Sequence, residues 1–355
     1  MSALTFRFSR SRRWLTAGLL LLIVHGLAAQ GRAHSDAPST ATHEVTDEVG
    51  RTVRIPLKPQ RIVSLAPSLT ETVYALNDDS HLVGDTQYCD YPPEAQQKPK
   101  VGGVTDPNLE AIAALHPDLV LVTKGANRLD TVRALDSLGV PSYATDPHTV
   151  DEIISSTQKL SEILSVPSAG KTLAEDLRSR LAQLQSTLAG AQPKRVLFIV
   201  WMDPLISVSQ KTFIADAIRL AGATSIIESW QEWPQISLEE VVHLQPEFLV
   251  FANSHTGEGK HDFDVLADRP GWRNLDAVRN RRYAVVSDAI NRPSPRIVSV
   301  IEDLARKLHP ELFPSVPEPD KQPPAALSGP PNSADKPLSG QLSDPSACLE
   351  NACAR

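Results

Sequence analysis

The chain has 355 residues, of which 41% are hydrophobic and 22% charged, and its formal net charge at pH 7 is −7. This length is sufficient for two lobes of ordinary domain size. The acidic balance makes the surface a poor partner for nucleic acid, so nucleic-acid binding is not expected.

The N-terminus has the pattern of a secretory signal peptide. Four arginines precede an apolar run that ends near Ala29 and is short for a membrane span. We place the signal at residues 1–29, with cleavage between Ala29 and Ala33, and expect a soluble periplasmic protein. The stretch at 11–15 is faintly similar to a twin-arginine signal, so the export route stays open between that one and a plain secretory signal. No cysteine follows the apolar run, so no lipoprotein attachment is expected.

Small polar residues at 30–44 indicate a flexible lead-in to an N-terminal lobe, which we place at 45–165. The lobe is predicted to begin with a hairpin at 46–56. A buried strand at 61–66 should then lead into a helix.

That first helix carries an acidic residue whose role is ambiguous in the sequence. Ser68 is suited to cap the helix, and Glu71 follows it at the spacing of a capping box. We therefore interpret Glu71 as a capping residue rather than as a ligand of a site.

One pattern of helix, proline and strand occurs twice. NLEAIAALHPDLVLV begins at Asn108 and SLEEVVHLQPEFLVF begins at Ser237, with leucine, glutamate and proline at matched positions. Asn108 and Ser237 suit helix N-caps, the proline ends each helix, and the apolar run is typical of a buried parallel strand. A generic αβ unit is the alternative, but the run of matched positions argues against it. The repeat predicts two α/β lobes with parallel sheets and a ligand cleft between them.

A long amphipathic helix lies between the two halves. We place this connecting helix at 166–192 and the C-terminal lobe at 193–314. Its length and position predict a single stiff connection between the lobes.

The end of the chain, 315–355, is rich in Pro, Ser, Ala and Gly and almost lacks large apolar residues. Such a composition predicts a disordered tail, so a chain that stops at Pro314 should fold and bind as well as the full chain. Cys348 and Cys353 lie in this tail and are expected to form a disulfide in an oxidising compartment. A metal site is the weaker alternative, because two thiols supply only half of a zinc site.

Motifs of catalysis are absent from the sequence. It contains no glycine-rich phosphate loop, no HExxH and no Ser-His-Asp spacing. His255, His261, Asp262 and Asp264 share one loop, which leaves a secreted metal-dependent enzyme as a weak alternative. Cys89 has no histidine nearby, so we interpret it as a small residue lining a cleft and not as a nucleophile.

Polar and aromatic residues gather after the predicted strands. They are Tyr88, Asp90, Tyr91, Thr123, Asn127, Trp201, Trp230, Trp233, Asp288 and Arg292. Ligands of open α/β sheets bind at the carboxyl ends of strands, where aromatic side chains offer rigid stacking faces. Because none of these residues forms an arrangement of nucleophile, base and orienting group, the pattern indicates a binding cleft and not a reaction centre.

Several motifs resemble the cobalamin-binding periplasmic proteins of ABC importers. The resemblance covers about residues 45–314. Its motifs are RIVSLAPSLTE, YCDYPPEA, NLEAIAALHPDLVL, WPQISLEEV, RPGWRNLDAVRNRRYAVV and RPSPRI. YCDYPPEA and WPQIS are fairly specific to the cobalamin branch, whereas the other helix starts are shared with haem- and siderophore-binding relatives. The family fold is two Rossmann-like lobes joined by one rigid helix.

The resemblance implies roles for individual residues. Tyr88 would stack against the corrinoid or its lower base, while Trp233, Asp288 and Arg292 would line the opposite wall. Asp90 and Trp201 complete the expected ligand-binding set. Glu110 and Glu239, one in each lobe, would engage arginines of a permease dimer. The chain departs from some members, which have aromatic residues in place of Val104, Thr123, Ala289 and Ile290.

We therefore expect a monomeric periplasmic substrate-binding protein, without catalytic activity, metal or cofactor of its own, that delivers a cobalamin-like corrinoid to an ABC importer. A haem or ferric-siderophore carrier of the same fold is the alternative. A siderophore site would favour basic residues, and this cleft offers mainly Arg292 and Lys124. The sequence does not say which corrinoid is bound.

Overall fold

The computed structural model describes residues 41–253 and 263–313, without the side chains of 263–265. The predicted signal peptide, the tail with its two cysteines, and the His255, His261 and Asp262 loop lie outside the described residues, as does the side chain of Asp264. Among the described helices, none is long and apolar enough to cross a membrane.

The N-terminal lobe is built on a parallel sheet preceded by a hairpin. The hairpin pairs β1 (Thr42–Thr46) with β2 (Thr52–Pro56) in antiparallel fashion. The sheet has the order β4-β3-β5-β6, from β3 (Ile62–Ser64), β4 (Leu82–Asp85), β5 (Leu119–Thr123) and β6 (Ser142–Thr145). Its helices are α1 (Pro67–Ala75), α2 (Leu109–Ala114), α3 (Leu129–Ser137) and α4 (Val150–Ile163). Because β1 begins at Thr42, the last residues of the predicted lead-in, 42–44, belong to a strand.

The C-terminal lobe repeats this plan with the order β10-β7-β11-β12, again parallel. Its strands are β7 (Lys194–Ile199), β10 (Ala223–Ser225), β11 (Phe248–Ala252) and β12 (Tyr283–Val286), beside a small antiparallel pair, β8 (Trp201–Met202) and β9 (Leu205–Ile206). Its helices are α6 (Phe213–Leu220), α7 (Leu238–Leu244), α8 (Phe263–Asp268), α9 (Asp276–Arg279) and α10 (Ile297–Leu308). The predicted α/β fold with two parallel-sheet lobes is confirmed.

The repeated pattern forms equivalent elements in both lobes. The side chains of Asn108 and Ser237 cap α2 and α7 by accepting hydrogen bonds from the backbone N–H groups of Ala111 and Glu240. Each helix ends before its proline, and a strand follows, β5 in one lobe and β11 in the other. The predicted N-caps are therefore confirmed.

Alternation along the central strands explains why their sequences are apolar throughout. Leu119 and Leu121 of β5 pack into one cluster, while Val120 and Val122 pack into a second cluster. The same division holds in β11. Successive side chains of a strand point to opposite faces, so a sheet covered on both faces needs apolar residues at every position.

Two packed helices connect the lobes. The longer one, α5 (Pro167–Thr187), is shorter than the predicted 166–192. It packs closely on α4 at Gly170, where an added Cβ atom would clash with the side chain of Ser161. The first half of α4, including Ile153, belongs to the C-terminal core, whereas Leu160 belongs to the N-terminal core. The lobes thus share α4 in addition to the predicted helix.

Candidate ligand-binding cleft

The carboxyl ends of the two sheets face each other. The loop after β4 contacts the segment after β12 through Asp90 and Arg292, whose Oδ1 and Nη1 atoms lie 2.6 Å apart. The segment after β6 approaches the loop after β10 through His148 and Glu232, at 4.0 Å. We take these two contacts as the ends of a candidate cleft, because open α/β sheets bind ligands at this edge.

Glu71 lies at the first end, and the prediction that it is a capping residue is wrong. Helix α1 is capped at Ala66, without any side-chain hydrogen bond, so Ser68 does not act as the cap. The Glu71 side chain is only 1% exposed. Its carboxylate points across to the other lobe, where it accepts hydrogen bonds from three residues, Arg292, Ser294 and Arg296.

Arg296 holds Glu71 in a bidentate pair. Its Nε donates to Glu71 Oε2 at 3.0 Å and its Nη2 donates to Oε1 at 2.7 Å. The guanidinium also lies 3.6 Å from the ring centre of Tyr91, a cation–π contact. Both partners of Arg296 belong to the N-terminal lobe, so this residue joins the lobes by charge and by stacking.

Arg292 pairs with two carboxylates, and the pairing shifts two pKa values. Burial raises the pKa of Asp90, but the hydrogen bond and charge of Arg292 outweigh it and hold that pKa below its usual value. Burial lowers the pKa of Arg292, yet Asp90 and Glu71 together keep it above its usual value. Asp90 and Arg292 are therefore charged at neutral pH, and the whole cluster pairs two acidic side chains, Glu71 and Asp90, with two basic ones, Arg292 and Arg296.

Lys100 anchors the loop that carries Tyr88 and Asp90. The ammonium group donates to Asp85 Oδ1 at 2.7 Å, to the Cys89 carbonyl at 3.2 Å and to the Ala95 carbonyl at 3.0 Å. Burial raises the pKa of Asp85 to about 6, although the hydrogen bond and charge of Lys100 act in the opposite direction. This ion pair fixes both ends of the loop.

The prediction that Cys89 lines the cleft is wrong. It is 2% exposed, and its Sγ lies 3.2 Å from the hydroxyl groups of both Thr70 and Thr86. Burial raises the pKa of the Cys89 thiol. The residue is thus part of the packing beneath the loop.

The aromatic residues of the C-terminal lobe lie on adjoining segments. Trp201 belongs to β8, which pairs with β9, and Ile206 of β9 in turn pairs with Gln235, two residues after Trp233. Trp233 is half-buried and packs against the lobe's core. Trp230 is 87% exposed and has Lys211 at 4.4 Å from its ring centre.

The remaining predicted positions are divided between surface and core. Tyr88 is exposed in the loop after β4, and Asp288 lies in the turn after β12. Ala289 and Ile290, where some relatives have aromatic residues, are buried in the C-terminal core. Thr123 is also buried and donates to the Thr145 carbonyl at 3.3 Å.

Glu110 and Glu239 are exposed in the first turns of α2 and α7. Their surroundings differ. Glu110 lies on the rim of a groove of about 430 Å³, lined by Leu109, Glu110, Ala113, Ala134, Ser137 and Leu138. Glu239 is followed by a second exposed glutamate, Glu240.

Among the side chains that the structure describes, those of 41–253 and 266–313, no group of three or more His, Cys, Asp or Glu could hold a metal ion. The residues of the cleft instead combine aromatic faces with an electrically balanced ion cluster. Such a lining is suited to bind a large ligand.

This two-lobed fold and inter-lobe cleft define a class of binding proteins, and the sequence match is in agreement. Residues 62–289 match the Periplasmic binding protein family, so the chain belongs to that family. It is 32% identical over 259 residues to a vitamin B12-binding protein of Vibrio cholerae, covering 71% of this chain and 90% of the relative. A vitamin B12-binding protein of Photorhabdus laumondii is 30% identical, with 71% and 88% covered.

Solved structures of periplasmic binding proteins also match the fold of this chain. The crystal structure of the periplasmic vitamin B12 binding protein BtuF of Vibrio cholerae matches with a TM-score of 0.63 at 30% identity, covering 71% of this chain and 98% of that one. The periplasmic heme-binding protein BhuT, in complex with two hemes, matches with a TM-score of 0.65 at 26% identity, covering 71% and 99%.

Proposed function

We propose that the chain captures a cobalamin-like corrinoid in the inter-lobe cleft and delivers it to the permease of an ABC importer. Similarity to vitamin B12-binding proteins over most of their length supports this proposal. So does the composition of the cleft. The role is that of a monomeric carrier without catalysis, exported by the signal at 1–29.

The balanced ion cluster is the observation that favours a corrinoid over its alternatives. Arg292 and Arg296 are both already paired with N-terminal carboxylates. A free cation would be needed to neutralise the carboxylates of haem or the charge of an anionic ferric siderophore. The neutral carboxamides around a corrin ring need only hydrogen-bond donors and acceptors, and the exposed Asp90 of this cluster is one such partner.

Six residues form the proposed ligand site. They are Tyr88, Asp90, Trp201, Trp233, Asp288 and Arg292. The aromatic members offer stacking faces for the ring and its lower base, and the charged members offer partners for the peripheral amides. The haem-binding relative makes haem the second candidate ligand.

Titration of the purified protein by calorimetry and visible absorption tests this proposal. Cyanocobalamin, haemin and a ferric siderophore would be compared under the same conditions. We expect tight one-to-one binding of cyanocobalamin and much weaker binding of the other two. Preferential binding of haemin would replace the corrinoid with haem.

Delivery is proposed to use Glu110 and Glu239. They occupy equivalent positions in equivalent lobes, so a symmetric permease dimer can meet one glutamate with each subunit. Both carboxylates are exposed, as contact with cationic side chains of a partner requires. The apolar groove beside Glu110 adds a surface that an aliphatic neighbour of such a cation can occupy.

A further inference from the structure

Arg292 has two carboxylate partners that differ sharply in exposure. Its Nη1 donates to Glu71 Oε1 at 2.8 Å and to Asp90 Oδ1 at 2.6 Å. The Glu71 side chain is 1% exposed, whereas the Asp90 side chain is 61% exposed. One bond is therefore shielded from water, and the other is open to it.

The buried partner, Glu71, is hydrogen-bonded through both of its carboxylate oxygens. Each carboxylate oxygen of Glu71 accepts two hydrogen bonds. All four are donated by side chains of residues 292–296 in the opposite lobe. Removing one member of such a buried group leaves charges without compensation, which is strongly unfavourable. Glu71 is thus a fixed point for the arginine.

The exposed partner, Asp90, lacks this shielding from water. Ion pairs in contact with water contribute little, because solvent screens them and competes for their hydrogen bonds. Because Asp90 is the more exposed partner, an oxygen acceptor that arrives from solvent can compete with it for the bond to Arg292.

We propose that Glu71 is a positioning residue that holds Arg292 at the cleft, and that Asp90 is the exchangeable partner replaced by an oxygen acceptor of the ligand. For a corrinoid this acceptor is a peripheral carboxamide carbonyl, so the inference rests on the proposed function. The carboxamide NH₂ group can then donate to the released Asp90.

Calorimetric titration of the full chain with cyanocobalamin separates the two carboxylates. Glu71→Gln keeps the shape but removes the charge, and it should weaken binding by about tenfold or more. Asp90→Asn removes the competitor for Arg292, and it should tighten binding by roughly two- to fivefold. Weaker or unchanged binding by Asp90→Asn would overturn the exchange.

Glu302→Gln is the matched control. Glu302 accepts a bidentate pair from Arg180, at 3.0 and 2.8 Å, but this pair joins α10 to α5 and not to the cleft loops. The control should leave ligand affinity unchanged. Equal losses of affinity in Glu71→Gln and Glu302→Gln would show a general structural effect and overturn the positioning role.

A double-mutant cycle tests whether Glu71 acts through Arg292. In an Arg292→Met background, Glu71→Gln should add no further loss of affinity, because its target is gone. An additive loss would contradict the inference. Ser294→Ala removes one of the four bonds and should give a smaller loss than Glu71→Gln, which guards against a variant that fails to fold.

Hydrogen exchange in the absence of ligand decides the positioning role independently of the ligand's identity. Glu71→Gln should speed amide exchange at 288–297, whereas Glu302→Gln should not. Unchanged exchange there would overturn the role even if cyanocobalamin binds. If the wild-type protein does not bind cyanocobalamin, the proposed function fails, but faster exchange in Glu71→Gln still supports the role of Glu71.

Discussion

Trp233 and Trp230 are three residues apart but differ in their surroundings, which makes them a matched pair. Trp233 is half-buried on the C-terminal core, and Trp230 projects into solvent beside Lys211. Trp233→Ala should lower the affinity for cyanocobalamin by about 1–3 kcal/mol, the range found for aromatic side chains that stack on bases. Calorimetric titration measures this change.

Trp230→Ala serves as the comparison. It removes an equal aromatic surface from an exposed position outside the proposed site, so its affinity should stay at the wild-type value. Melting temperatures would show whether Trp233→Ala also loosens the core. Wild-type affinity in Trp233→Ala would remove this residue from the site.

Asp85 gives the stability of the fold a pH dependence of known sign. Its pKa in the folded chain, about 6, is above the ordinary value of 3.8, mainly because of burial. The folded chain therefore binds more protons than the unfolded chain between about pH 4 and 6. Stability should fall as pH rises through this window, by at most about 1.4 kcal/mol per pH unit.

Asp85→Asn should remove this contribution to the slope. Denaturant unfolding at several pH values between 4 and 7 measures it. Asp136→Asn, a change at an exposed position on α3, should keep the wild-type slope. If Asp85→Asn retains the full slope, Asp85 is not its source.

At the residue scale, the sequence indicated which residues belong to the candidate site but not which side chains they contact. Asp90 and Arg292 were both expected at the cleft, because each follows a predicted strand. Glu71 was misinterpreted because capping is a rule of local spacing, while its actual partners lie more than 220 residues away. Glu71 is the only charged residue of its helix, and this, together with the two arginines in RPSPRI, was the available signal for this pair.

At the scale of elements, the loop between β4 and α2 depends on Lys100. Lys100→Met removes its three hydrogen bonds and leaves the buried Asp85 carboxylate without its cation. The unfolding free energy should fall by about 1–3 kcal/mol, and amide exchange at 88–96 should become faster. Ligand affinity should fall too, because Tyr88 and Asp90 belong to this loop.

The double variant Lys100→Met/Asp85→Asn is the internal control. It removes the stranded carboxylate, so part of the lost stability should return. Affinity should stay low, because the loop carbonyls still lack their donor. Full recovery of affinity would show that the loop does not need this anchor.

Element types were largely predictable, and element boundaries were less so. The continuous apolar runs of the buried strands and the caps at Asn108 and Ser237 are local signals, and both predictions were confirmed. The sequence did not predict that β1 begins at Thr42, because the first residues of β1 are polar. The strand forms there because its backbone pairs with β2. Sharing of α4 between the two cores is a tertiary effect that amphipathic spacing alone cannot assign to one lobe.

At the scale of the whole molecule, the proposed docking surface is separate from the cleft cluster. Charge reversal of both Glu110 and Glu239 to lysine should leave the affinity for cyanocobalamin unchanged. The same variant should abolish ligand-stimulated ATP hydrolysis by the cognate transporter in liposomes, because cations of the permease would then meet cations.

Glu175→Lys/Asp176→Lys is the matched control for that experiment. Both residues are exposed on α5, and the change in net charge is the same. This variant should stimulate the transporter normally. Normal stimulation by the Glu110/Glu239 variant would rule out the docking role.

The ion cluster around Glu71 and the two glutamates proposed for docking differ in exposure, so they should respond differently to salt. In the cluster around Glu71, the Glu71 carboxylate is shielded from water and two acidic groups pair with two basic groups, so dissolved ions can screen mainly the exposed bond between Asp90 and Arg292. Glu110 and Glu239 stand in solvent, where the Debye length is about 8 Å at physiological ionic strength and shorter in brine. Ligand binding should therefore depend only weakly on salt, while the encounter of the protein with the membrane complex should slow as salt rises.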